Sequence, residues 1–143
     1  MKMKYWPILF LFALPSSALG FVADAYCFIS GGEAKGLEFR SYYDREIEWS
    51  GAVVKYENAS TVIPLILKSR HVEILDPDRP YEVTRTWWEV VGGRFTGEYT
   101  MTSQGAMIYN FSYKNYRSRK VTHFSMDPNF DPAAHATCPF QKH

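Results

Sequence analysis

From residue 25 to residue 126 the chain alternates short β-forming runs with Gly, Asn and Asp turn signals, with no convincing amphipathic helix. That pattern confines it to antiparallel sheet. Runs at 25–30, 37–43, 46–56, 61–68, 81–91, 94–102, 107–114 and 120–126 give about eight strands, joined mostly by hairpins. The fold class is therefore all-β, an antiparallel meander. It closes into a small up-and-down barrel or curls into a half-open clam, since closure removes exposed sheet edges.

Side-chain period fixes the expected faces. Leu37, Phe39, Ser41 and Tyr43 share one, opposite Glu38, Arg40 and Tyr42. Ile47 and Trp49 fall out of phase with Ala52, Val54 and Tyr56, which predicts a β-bulge at Ser50-Gly51. Pro64 lacks an N–H and favours an edge or a bulge, and residues 69–75 extend that strand or bend away. The segment Asp76-Pro77-Asp78-Arg79-Pro80 is a loop. Gly92-Gly93 is a tight hairpin turn, because glycine accepts the positive φ such turns require. Beyond it, Phe95, Gly97, Tyr99 and Met101 are expected on one face, as are Met107, Tyr109, Phe111 and Tyr113, and Thr122, Phe124 and Met126. From about residue 127 the chain turns irregular and rich in Pro and Ala.

The N-terminus carries an address. Lys2 and Lys4 precede an unbroken apolar run at 8–14, followed by Ser16, Ser17, Ala18 and Gly20. This is the layout of a secretory signal peptide over residues 1–20, with cleavage preferred after Gly20 and a second candidate point after Ala25. The apolar run falls short of the roughly 20 residues a membrane helix needs. Phe21, not Cys, follows the small-residue box, so no lipid anchor is expected. Residues 21–143 then form a single β domain, long enough to bury a core. It is expected to be soluble and periplasmic or secreted. Of 16 basic side chains two lie in the leader, against 15 acidic ones, and so balanced a chain argues against a nucleic-acid partner or a membrane-seeking surface.

Cys27 and Cys138 stand near the two ends of that domain. In an oxidising compartment they are expected to form one disulfide, worth about 4–5 kcal/mol for a loop of this order in the chain-entropy treatment. His135 lies near Cys138, but the spacing makes no metal site, and no cofactor is expected.

The residues singled out for function are few. Trp87 and Trp88 are adjacent in a strand and so point to opposite faces, and the sequence does not say which is outward. An outward Trp suits a protein interface or a stacking platform. The polar segment 70–79 places Arg70, His71, Asp76 and Arg79 at a loop, and Arg117 marks a second exposed turn. His71 with Glu73 or Asp76 is the nearest thing to an acid–base pair. Tyr43, Tyr56, Tyr99, Tyr109 and Tyr113 fall on the expected inner face, where large rings either pack the interior or line a cavity; the packed version is favoured.

In outline the chain resembles lipocalins and small periplasmic β-barrel inhibitors of cell-wall enzymes. The likeness is architectural, for the first strand lacks the Gly-x-Trp of lipocalins. The expected function is an exported, non-enzymatic binding protein with an envelope or secreted protein as partner, of inhibitor or immunity type. The alternatives are a carrier of a small apolar or aromatic ligand inside the barrel, and a hydrolase using His71 and the loop carboxylates.

Overall fold

The computed structural model describes residues 20–31, 36–131, 135 and 137–140. The leader at 1–20 therefore lies outside the described residues but for Gly20. Eight antiparallel strands close a barrel in chain order. They are β1 (Phe21–Ser30), β2 (Gly36–Asp44), β3 (Trp49–Tyr56), β4 (Ile63–Glu73), β5 (Glu82–Val91), β6 (Arg94–Gln104), β7 (Met107–Asn115) and β8 (Val121–Met126). None of the described residues forms a helix long and apolar enough to cross a membrane.

Alternation decides what is inside. Phe28, Leu37, Phe39, Val54, Trp87, Tyr99 and Phe111 are all buried and build one core. Phe28 and Phe111 stack at 4.1 Å, and Phe39 meets both Trp87 and Phe111 edge to face. Gly92 and Gly93 take φ values of 57° and 73° in the β5–β6 hairpin, as that turn demands.

Three bulges reset the alternation where the residue types gave no warning. Lys68, Thr96 and Tyr109 are each skipped in the ladders, so every side chain beyond them changes face. Phe95, expected beside Gly97 and Tyr99, turns outward and is exposed. Met107 and Tyr109, expected with Phe111, are exposed as well, and Ile108 packs against the core instead.

The bulge expected at Ser50-Gly51 is absent. The β2–β3 register runs unbroken from Asp44↔Trp49 to Leu37↔Tyr56. The phase slip arises earlier, because residues 45–48 are turn and not strand. Asp44 Oδ1 accepts the Glu46 and Ile47 N–H groups there, at 2.9 and 3.4 Å. Ile47 is left at the tip of the turn, and Trp49 lies over Gly51, where an added Cβ would meet its ring at 2.5 Å. Pro64 pairs with Val53 on one side, and the β4–β5 ladder begins only at Leu65, so no N–H is needed from it.

The irregular stretch after β8 crosses the outer face of β1 and β2. Cys138 is bonded to Cys27, at a sequence separation of 111. Its N–H donates to Glu38 Oε2 at 2.8 Å, Arg40 Nε donates to the other oxygen of Glu38, and the Phe140 ring fills the space a Cβ would need at Gly36. Cys27 and Glu38 are buried beneath this cover.

The closing seam is short. β1 pairs with β8 over Phe28, Ile29 and Ser30 only, and β8 pairs with β7 from Phe111 to Lys114. Among the described residues no ladder joins residues 21–26 of β1 to 107–110 of β7.

Candidate functional site

The two ends of the barrel differ. One is packed shut around a carboxylate. Glu89 is 6 % exposed, and its oxygens accept hydrogen bonds from Thr96 at 2.6 Å, Tyr113 at 2.8 Å and Tyr99 at 3.2 Å. Tyr56 and Tyr99 share a further hydroxyl contact at 2.9 Å, and Asn115 donates to the Tyr113 oxygen at 3.2 Å. Burial pushes the Tyr99 and Tyr113 hydroxyls up from their ordinary range, with the Glu89 hydrogen bond adding to the rise at Tyr113. These hydroxyls stay protonated, and the carboxylate acquires donors without a cation. A buried charge is tolerated on those terms. Of the five tyrosines expected inside, Tyr56, Tyr99 and Tyr113 form this plug. Tyr109 sits on the outer wall and donates to Glu82.

The other end is open. Between its walls lies a cup of about 770 Å³, within the size range of small-molecule sites. Trp87, Phe39 and Leu67 lie deepest, and Met101 and Arg85 form the layer above them. Asp24, Tyr26, Ser41 and Tyr43 supply the facing wall, and Arg70, Arg45 and Glu48 also line the space. The interior is thus neither fully packed nor hollow: rings fill one half and leave the other free.

Arg85 is half-buried in this wall and Arg70 is opposite it in the β4–β5 register. Desolvation by burial, followed by the charge of Arg70, holds the Arg85 pKa below its ordinary value. Tyr26 is pushed up by burial and by the charge of Asp24. Trp87 is 1 % exposed, and its indole Nε1 is buried without a hydrogen-bond partner among the described residues.

The residues singled out from the sequence scatter around this frame. Trp87 and Arg70 belong to the cup. Trp88 points outward, stacked on Phe95 at 4.7 Å with Lys68 Nζ 5.8 Å from its ring centre. Lys68 in turn pairs with Glu98 at 2.6 Å, and Tyr116 donates to the same carboxylate oxygen at 2.8 Å. His71 is exposed near the end of β4, with no hydrogen bond to Glu73 or Asp76 among the described residues. Asp76 and Arg79 pair with each other at 3.4 Å in the β4–β5 loop. That loop leans on the β6–β7 turn, where Gln104 Nε2 donates to the Pro80 carbonyl at 2.9 Å. Arg117 lies in the β7–β8 turn, at the plugged end.

Sequence reasoning missed Arg85, Asp24 and Glu89. Arg85 and Glu89 had a legible signal, since both share the face of Trp87 on one strand. They could be placed inside only once Trp87 was known to turn inward. Compared with family models, curated proteins and solved structures, the chain matches none.

Proposed function

We propose that this chain is an exported, non-enzymatic binding protein whose barrel lumen holds a small molecule with a flat apolar body. The observation that carries the reading is the cup itself, walled by Tyr26, Leu67 and Ile108 above the buried Trp87 and Phe39 layer, and open at one end of a barrel whose other end is plugged. Charged and polar side chains above the apolar layer, Asp24, Ser41, Arg45, Glu48, Arg70 and Arg85 among them, supply the groups that orient a guest. Export rests on the disulfide, which persists in oxidising compartments, and on the signal-like layout of residues 1–20.

Native mass spectrometry of protein purified from its own host, beside a Ser41→Trp variant that fills the cup, tests this. A bound mass in the natural chain that is absent from the variant is expected. An empty natural chain, or the same mass on both, overturns the reading.

A second reading, a protein partner of inhibitor or immunity type, is favoured by the outer patch of Trp88 and Phe95. Stacked, partly exposed rings of this kind are frequent interface anchors. It stands behind the first because two rings make a small patch, whereas the cup surrounds a guest on several strands at once.

A further inference from the structure

Arg70 and Arg85 face each other across the β4–β5 ladder and both line the cup. Among the described residues, neither guanidinium has a hydrogen bond or an ion pair. Guanidinium groups keep their charge, so the exposed Arg70 at the mouth and the half-buried Arg85 repel each other. Asp24 acts on Arg85 through space from the facing wall without bonding to it, and with Arg45 and Glu48 also lining the cup three guanidiniums stand against two carboxylates. Nothing in the fold requires this arrangement, because the same register position could hold any residue that tolerates the lumen. An oxyanion between the two forks would remove the repulsion and supply the missing acceptors, the geometry at which arginine excels.

We infer that the cup selects anions: an oxyanion headgroup bridges Arg70 and Arg85 while the apolar body of the same ligand lies against Leu67, Ile108 and Tyr26. This rests on the lumen being the binding site proposed above, and it adds the chemical class of the occupant. Carboxylate, sulfonate and phosphate share the required chemistry.

Two fluorescent probes with the same pair of ring systems test it on the disulfide-bonded chain. Anilinonaphthalene sulfonate carries the anion, and phenylnaphthylamine lacks it. The anion should bind at least about tenfold more tightly, the range expected for a hydrogen bond to a charged group. Arg85→Gln and Arg70→Gln should each cost the anion about tenfold while leaving the neutral probe unchanged, which also shows that each variant keeps its cup. Asp24→Asn should tighten the anion several-fold. Naphthoate and naphthyl phosphate, used as competitors, then rank the headgroups. Equal affinities for the two probes, or arginine variants that bind the anion as before, overturn the anion selectivity and leave the cup a neutral site. If Ser41→Trp blocks neither probe, the lumen is not where they bind, and the selectivity falls together with the site.

Discussion

Tyr113 lies flat over Gly97 on the neighbouring strand, so close that a Cβ at Gly97 would stand 2.5 Å from the ring and 2.7 Å from the Lys114 carbonyl. The missing side chain is what lets the tyrosine hydroxyl reach Glu89, two register steps inside the plugged end. Gly97→Ala should therefore push the ring away from its carboxylate and lower stability by about 1–3 kcal/mol, as overpacking does. Urea unfolding measures it. A variant as stable as the natural chain would mean that the plug repacks freely.

The carboxylate itself should be intolerant of isosteric change. Glu89→Gln replaces one acceptor oxygen by a donor while three hydroxyls still point toward the group. A cost of about 1–3 kcal/mol is expected, and Tyr113→Phe should lose less, because Thr96 still donates to the same oxygen of Glu89. Equilibrium unfolding of the two variants side by side gives the order.

The same plug should make the barrel sensitive to alkali. Burial raises the Tyr56, Tyr99 and Tyr113 hydroxyls above their ordinary 10.0. Once unfolded they titrate near that value, so above pH 10.0 the unfolded chain holds fewer protons than the folded one. Stability is then fully present below pH 10.0 and falls as the pH rises beyond it. The unfolding midpoint should bend downward there, less steeply in Tyr99→Phe. Tyrosinate absorbance from these rings should appear only together with loss of the β-sheet signal in circular dichroism.

Replacing both Cys27 and Cys138 by Ala should cost about 4–5 kcal/mol, since the bond closes a loop spanning nearly the whole domain. Denaturant titration of the natural chain with and without reductant gives the same comparison. If the cost falls below about 1 kcal/mol, the tail is held by Glu38 and Phe140 alone and the loop-entropy account fails.

Adjacent tryptophans should behave oppositely. Trp87→Ala empties the floor of the cup and should cost about 3–5 kcal/mol. Trp88→Ala removes an outer stack on Phe95, worth about 1 kcal/mol. Thermal unfolding separates them, and only the second variant should be soluble enough to test for loss of a protein partner.

Much of this architecture was legible before any coordinates. Period-two patterning on β2, the glycine pair at 92–93 and the lone cysteine pair led to an all-β meander with one staple. What stayed hidden has a common physical cause. Bulges at Lys68 and Tyr109 carry no adjacent glycine or proline to announce them, Thr96 has only Gly97 beside it, and each bulge inverts the faces beyond it. Unbroken alternation puts Phe95, Met107 and Tyr109 inside, and the bulges turn them out. The cup was hidden by a twofold ambiguity: with Trp87 and Trp88 adjacent, either choice buried one ring, and only one of them carried Arg85 inward.

The seam between β1 and β7 bears on what the lumen can accommodate. Among the described residues no ladder joins 21–26 to 107–110, and Val22, Asp24 and Ile108 on the two flanks line the cup. A guest that pushes these two strands apart breaks no ladder hydrogen bond among the described residues. Girth at the mouth is then the dimension of the lumen that the backbone network fixes least.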